Sequence, residues 1–318
     1  MPDVLGMQYE AVKSEGPDMT SSTAQPPTSL RVKKWTIRLV ALVGFLILAV
    51  FGIDFVTERM AKAEEGVFTT AAISSQMPTN VAQPGSSEDT LTRFISLLEK
   101  GRKNTLRMEA FQVEFDKQER IDGYLKDRQI IDMTVRREPF GVAMTWKTGS
   151  KGRALKFLPD QNGGKALVRL GGLKGRLLGT VKIEPDGSRA YSDSRHAINE
   201  AGILSVIDSV LSRAKSDVGN SGATYATLGE QEMHETKCSC FRVSYKDPEG
   251  NEDFRQGIVF LDPETSIPVR VASYTWAVDV EELTVEELDT MTLLEDYSFR
   301  NLKPLSSEES GKLIDEVL

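Results

Sequence analysis

The chain has 318 residues, of which 40% are hydrophobic and 27% are charged, and its formal net charge at pH 7 is −8. This composition excludes a fibrous or wholly disordered protein and favours one folded domain with appendages. Because acidic residues outnumber Lys and Arg by 47 to 39, nucleic acid is excluded as a partner.

The N-terminal region predicts a membrane anchor. Residues 1–34 are rich in Pro, Ser and Thr without an apolar period, so we expect a disordered cytoplasmic tail. Residues 39–53, LVALVGFLILAVFGI, carry no charge, and a helix over 35–56 would cross about 30 Å of hydrocarbon. Basic residues precede this run and Asp54 follows it. The positive-inside rule therefore predicts a single-pass signal-anchor in the cytoplasmic membrane, with the folded domain outside, in the periplasm.

A cleaved signal peptide is the alternative for the same run. The sequence offers an Ala-x-Ala site at residues 61–63, but it lies farther from the apolar run than signal cleavage usually tolerates. Residues 57–87, which include SSQMPTNVAQPGSS, are predicted to be a flexible linker.

The first element of the folded domain is predicted to be a helix. Ser86 or Ser87 provides an N-cap, apolar residues follow at helical spacing from Leu91 to Leu98, and Gly101 is expected to end the helix. A second amphipathic helix is predicted in EAGILSVIDSVLSRAK, where Ile203, Ile207 and Leu211 fall on one stripe with two valines.

Between and after these helices the apolar period is two, which predicts strands. The glycine-rich stretch RLGGLKGRLLG is interpreted as a turn plus a bulged strand, because it has no Lys-Ser or Lys-Thr pair for binding phosphate. The acidic insertion between Trp276 and Tyr297 is interpreted as a solvated flap. The predicted strands lie at 110–120, 128–136, 141–147, 153–158, 165–170, 176–183, 240–246, 254–261, 268–276 and 293–302.

Several motifs resemble a known bacterial family. They are FQVEFDKQERIDGYL, VRREPFGVAMTW, KGRALKF, SRHAINEAGILSVI, FLDPETSIPVRVASYTW and LLEDYSFRNLK. Together they look like domain of unknown function 1571, whose architecture resembles the periplasmic lipoprotein carrier and sensor (LolA-like) superfamily. The resemblance covers roughly residues 90–303. The predicted domains are a lipoprotein-carrier-like β domain at residues 88–303 and a C-terminal tail at residues 304–318.

The fold class expected from pattern and resemblance is α+β. A curved antiparallel sheet, a half-open β-barrel, would wrap around two or three helices, preceded by the transmembrane helix. The resemblance implies an apolar cavity, with Arg137 of RREPF matching an arginine at the cavity mouth; Glu138 departs from the Arg-Pro pattern, so an edge ion pair is the alternative. The candidate ligand-binding residues are Phe111, Phe115, Arg137, Met144, Trp146, Phe260 and Trp276.

The sequence supplies few residues for catalysis or metal binding. His234, Cys238 and Cys240 have an unusual spacing for zinc, so no metal and no cofactor are expected. The two cysteines are too close along a strand for an easy disulfide, and unpaired thiols or an intermolecular bond are favoured. The Ser194-Arg195-His196 run is interpreted as a polar cluster at the start of a helix, not as part of a catalytic triad.

These observations lead to one main hypothesis and two alternatives. The main one is a membrane-anchored, non-catalytic binding protein that holds a lipid or lipoprotein acyl chain in a half-barrel cavity. The first alternative is an envelope sensing or scaffolding protein with a filled core that binds another protein. The second is an envelope hydrolase that uses acidic residues.

Overall fold

The computed structural model describes residues 86–276 and 290–318. The predicted tail (1–34), the predicted anchor (35–56), nearly all of the predicted linker and most of the acidic insertion lie outside these ranges. Within them, no helix has the length and apolar content needed to span a bilayer. The membrane anchor and the localisation therefore stay predictions.

The first helix, α1, runs from Ser87 to Leu106. Ser86 is its N-cap and accepts a hydrogen bond from the Asp89 backbone N–H, as predicted. The prediction that Gly101 ends the helix was wrong. Gly101 lies inside α1 because the helix passes so close to the chain at Ser266 that a Cβ there would sit 2.1 Å from the Ser266 carbonyl oxygen.

The strands of the described ranges form a 12-stranded antiparallel sheet, with the order β7-β6-β5-β4-β3-β1-β12-β11-β10-β9-β8. The short strand β2 pairs only with β1. Nine of the ten predicted strands were confirmed in place, and the predicted strand 176–183 is a strand only over 180–183. The strands β2 and β8 were not predicted. The strands are β1 (Ala110–Ile121), β2 (Tyr124–Leu125), β3 (Gln129–Arg136), β4 (Gly141–Trp146), β5 (Ala154–Phe157), β6 (Ala166–Arg169), β7 (Thr180–Ile183), β8 (Ala223–Met233), β9 (Thr236–Tyr245), β10 (Gln256–Leu261), β11 (Pro268–Tyr274) and β12 (Leu293–Leu305).

The strand order explains why the sheet is open and why it encloses helices. The chain runs outward from β1 to β7, crosses to the opposite edge, and returns from β8 to β12 beside β1. Helix α2 (Gly172–Leu178) connects β6 to β7. The crossing contains two further helices, α3 (Ser188–Tyr191) and α4 (Ile203–Ser216), with a 3₁₀ turn at Ile198–Glu200 between them. Helix α4 is the predicted second helix, and it packs against α1.

The main core lies between these helices and one face of the curved sheet, which we call the inner face. On the inner face Val113, Ile131 and Met133 are 1% exposed. Ile203 and Ile207 of α4 are fully buried against them. Burial of each such side chain contributes about 1.5–3 kcal/mol relative to exposure, so the inner face and the helices stabilise each other.

The opposite, outer face carries an ion-pair network over the central strands. Asp296 accepts hydrogen bonds from Arg270 (2.8 Å) and Arg128 (2.7 Å). Arg128 also bonds to Asp116 (2.8 Å), which lies 3.4 Å from Arg300. These side chains alternate with inner-face residues because successive residues of a strand point to opposite faces.

The β8–β9 hairpin folds back over the outer face. Its tip residue His234 places Nε2 3.4 Å from Ser298 Oγ on β12, three strands away from β9. Cys238 and Cys240 belong to a second buried cluster and are 0% exposed, with free thiols. Burial raises their pKa values to about 11 and about 12, respectively.

Two predictions at the ends of elements required correction. The glycine-rich stretch forms the helix α2 and not a bulged strand, because Gly172 (φ 60°) and Gly179 (φ 64°) supply left-handed turns at its two ends. The last residues are not a tail: a helix α5 (Ser307–Glu316) follows β12 with a Ser306–Glu309 capping box. Ile314, 1% exposed, packs on Ala143 and Leu158, so the domain extends to this helix.

Candidate functional site

A partly open cavity of about 100 Å³ lies on the inner face, between the sheet and the chain that leads into α4. We call residues 193–202 the covering segment, because with Val206 of α4 they form the side of the cavity opposite the strands. The floor is apolar and comes from six strands. The floor residues are Phe115, Ile131, Met133, Met144, Trp146, Leu155, Ile183 and Phe299.

The mouth of the cavity is polar and is built on two neighbouring strands. Glu119 of β1 and Glu295 of β12 are direct cross-strand partners. Like charges in this position repel each other, and both carboxylates are largely buried, with 3% and 19% of their side chains exposed. The pair therefore depends on the groups around it.

Tyr297 connects the two carboxylates. Its hydroxyl lies 2.5 Å from Glu119 Oε1 and 3.2 Å from Glu295 Oε2. Lys117 donates to Glu119 at 2.8 Å. Burial, followed by the two negative charges, raises the pKa of Tyr297 well above its usual range, so the phenol stays protonated and bonded to the carboxylates.

The covering segment is held to the sheet by side-chain bonds at this mouth. Arg153 bonds to Asp193 at 2.7 Å and stacks on the Trp146 ring at 4.6 Å. Arg195 and His196 both reach Glu295, at 3.3 Å and 3.2 Å. These bonds therefore fix the covering segment beside the cavity.

A more open cleft of about 300 Å³ adjoins the cavity. It lies between α4 and strands β11 and β12, and its polar side comes from Ser205, Asp208 and Ser209 of α4. Four residues line both spaces: His196, Glu200, Val206 and Tyr297. A molecule longer than the inner cavity could therefore continue along α4.

The surroundings of Glu295 lower its pKa instead of raising it. Burial raises the pKa of Glu295, but the bond from His196 and the charges of His196 and Arg195 outweigh this and leave the pKa below the usual value. A hydrolytic general acid needs the opposite shift.

Ser194 bonds to Glu119 (3.3 Å), while the His196 ring bonds to Glu295, so the predicted polar cluster is confirmed. The described ranges contain no group of three His, Cys, Asp or Glu able to hold a metal.

Three of the predicted binding residues line the cavity. Phe115, Met144 and Trp146 form part of its floor. Phe111 belongs to the same core but lies outside the lining. Its ring packs beside Gly202, where a Cβ would be 3.6 Å from Phe111 Cζ.

The other three predicted residues lie elsewhere. Phe260 points to the outer face, where its ring lies 5.7 Å from the Arg270 guanidinium. The prediction had assigned this face of β10 to the cavity side. Trp276 follows β11 and donates to the Asn251 carbonyl at 2.9 Å. Arg137 pairs with Glu138 at 2.5 Å, which is the edge ion pair considered as its alternative.

The polar mouth was missed by sequence reasoning. The alternation that places Phe115 on the inner face also places Lys117 and Glu119 there. Two charged residues at inner-face positions could have predicted a polar site. The partners Glu295 and Tyr297 gave no such signal, because only the β1–β12 pairing brings them to the mouth.

The contact of His196 predicts that the covering segment loosens as the pH rises. The hydrogen bond that the His196 ring donates to Glu295 raises the pKa of His196 above 6.5, helped by the charge of Glu119 and opposed by burial and by Arg195. The stabilisation is complete below pH 6.5 and is lost as the pH rises through the higher folded pKa. We expect hydrogen-exchange protection factors of residues 193–202 to fall as the pH rises above 6.5. Equal pH dependence in His196→Gln would contradict this role.

The fold and the site define an α+β protein whose open, curved antiparallel sheet covers a small cavity with an apolar floor and a charged mouth. The sequence matches the family of proteins of unknown function DUF1571 over residues 108–309. The chain belongs to this family, as its motifs indicated.

Three solved structures resemble this chain over most of its length, at TM-scores below 0.5. Mycobacterium tuberculosis lipoprotein LppX is 11% identical, with a TM-score of 0.38, over 68% of this chain and 98% of LppX. A Vibrio parahaemolyticus outer membrane lipoprotein-sorting protein domain is 11% identical, with a TM-score of 0.30, over 68% and 97%. A chain of the Pseudomonas aeruginosa MucA/MucB complex is 14% identical in sequence, with a TM-score of 0.30. The match covers 70% of this chain and 60% of that one. No curated protein matches the sequence.

Proposed function

We propose that this protein is a non-catalytic envelope binding protein that holds the apolar end of a lipid-like amphipathic molecule in the inner cavity. The observation that supports it is the division of the cavity into an apolar floor and a charged mouth. Ligand sites of this kind are mostly apolar with a few placed polar groups that fix orientation. An apolar chain with a polar end matches this division.

The volume limits how the ligand would bind. Sites for drug-sized ligands are usually about 300–1,000 Å³, so the inner cavity of about 100 Å³ is too small for a whole acyl chain. The adjoining cleft of about 300 Å³ would take the remainder. In this proposal the end of the acyl chain lies against Met144 and Trp146, and the polar end of the ligand lies near His196 and the exposed side of α4.

The predicted N-terminal anchor gives this proposal its setting. A domain tethered to the cytoplasmic membrane by residues 35–56 would meet lipids or lipoproteins in the envelope, and it would present or sense them instead of carrying them between membranes. An envelope protein partner remains the alternative, in which the core is filled and another surface provides the binding.

Filling the cavity should abolish ligand binding. Ala201 lines the inner cavity and is half-buried, so Ala201→Leu would place three additional carbon atoms beside the apolar floor. Native mass spectrometry of the full chain, released from mild detergent after exposure to envelope lipids, should show a bound lipid mass in the wild type. We expect the bound fraction to fall at least about tenfold in Ala201→Leu.

The matched control is Ala223→Leu. Ala223 is also half-buried, but it packs against the buried cluster formed by α1, α4 and strands β8 to β11, and it does not line the cavity. This variant should retain the ligand. An unliganded mass for the wild type, or equal loss in both variants, would overturn the proposal, and the first of these outcomes would favour the protein-binding scaffold.

A further inference from the structure

Helix α2 exposes three leucines next to the edge of the sheet. Leu173 is 47% exposed, and Leu177 and Leu178 are each 62% exposed. Tyr191 of α3, which follows β7, is 43% exposed. Four large apolar side chains exposed within 20 residues of sequence are unusual on a soluble surface, where such groups mark interaction sites.

The charge around these leucines is opposite to that of the chain as a whole. Residues 146–183 contain nine Lys and Arg and a single acid, Asp160, although the chain has a net charge of −8. Of these basic residues, Lys151, Arg169, Arg176 and Lys182 are exposed. Residues 146–183 are therefore a strongly basic region in a chain that is acidic overall.

The fold brings the basic residues and the leucines together. At the start of α2, a Cβ on Gly171 would lie 2.7 Å from the Lys151 carbonyl oxygen and 2.9 Å from that of Ser150, so α2 begins against the β4–β5 turn. Its other flanks are the paired ends of β6 and β7, where Arg169 lies opposite Thr180. We call this surface, α2 with Lys151, Arg169 and Lys182, the basic-leucine surface.

We propose that the basic-leucine surface docks on an anionic phospholipid bilayer. A short helix with exposed leucines and flanking Lys or Arg has the chemistry of an interfacial element, whose apolar side chains enter the boundary between head groups and acyl chains. Each basic residue adds attraction to anionic lipid. The seven residues of α2 are also few compared with the 20–30 residues per side of a standard protein interface, which favours the bilayer over a folded protein.

A probe on α2 tests this docking in the full chain. The native thiols are fully buried and their pKa values are raised, so a cysteine at position 177 can be labelled selectively with an environment-sensitive fluorophore. The labelled chain is reconstituted into phosphatidylcholine vesicles with or without about one-third phosphatidylglycerol, which also carry lipid-linked quenchers. We expect the Leu177→Cys probe to be quenched strongly in the anionic vesicles only.

The matched control site is Val218, just after α4, which is 65% exposed and lies outside the basic region. A Val218→Cys probe should stay unquenched in both vesicles. Adding Arg176→Glu and Lys182→Glu should weaken the quenching at position 177 by about tenfold or more. Absence of quenching at position 177 or equal quenching in the two lipid compositions would each overturn the proposal.

Discussion

Asp296→Asn is expected to destabilise the folded domain by about 3–5 kcal/mol, because it leaves the buried Arg270 guanidinium without its counter-charge and removes one of the two carboxylates bonded to Arg128. Asp296 is 2% exposed and receives hydrogen bonds from Arg270 and Arg128. Arg270 is itself 8% exposed, so water cannot replace the lost carboxylate. Urea unfolding of the wild type and the variant, monitored by tryptophan fluorescence, would measure the change.

The same residue predicts acid sensitivity. Burial raises the pKa of Asp296, but the charges of Arg270 and Arg128 outweigh burial and hold the pKa below 3.8. Its contribution is therefore complete above pH 3.8 and is lost as the pH falls through the lower folded value. Asp296→Asn should remove this part of the acid dependence.

Asp253→Asn is the control for charge alone. Asp253 is paired with Arg213 at 3.3 Å, but its side chain is 73% exposed, so the loss should stay within about 1 kcal/mol. If the two variants unfolded at similar urea concentrations, the outer-face network would not have the energetic role assigned to it.

Gly101→Ala is expected to destabilise the domain by about 2 kcal/mol, although the same change in an open helix is stabilising. Alanine gains about 1 kcal/mol over glycine in a helix interior. At Gly101, however, the new Cβ would lie 2.1 Å from the Ser266 carbonyl oxygen and 2.8 Å from its carbonyl carbon. The loop at Ser266 would have to move away from α1, and such overpacking costs about 1–3 kcal/mol or more.

Gly311→Ala is the matched control, since Gly311 is also inside a helix. A Cβ at this position would lie 3.5 Å from Arg136 Nη1, which is ordinary contact. This variant should gain up to about 1 kcal/mol. A gain in both variants, measured by thermal unfolding, would contradict the close approach of α1 and the loop at Ser266.

The two halves of the inner site differ in how far the sequence could reveal them. Phe115, Met144 and Trp146 were found because alternation assigns residues of one strand to one face, and that rule is local. Phe260 was misplaced by the same rule, because alternation gives the two faces of β10 but does not say which of them meets the helices. The carboxylate pair of Glu119 and Glu295 depends on residues far apart in sequence.

The sequence by itself determined the local structure: the cap at Ser86, the stripe of α4 from Ile203 to Leu211, most strands, and membership of the DUF1571 family. These features depend on neighbouring residues, whose spacing is fixed by backbone geometry. The tertiary structure alone decided that α1 continues through Gly101, that Phe260 faces outward, that the last residues form α5, and that Tyr297 joins two carboxylates at the cavity mouth. Each of these outcomes depends on which distant strand or loop packs against a residue, and spacing along the chain does not encode that choice.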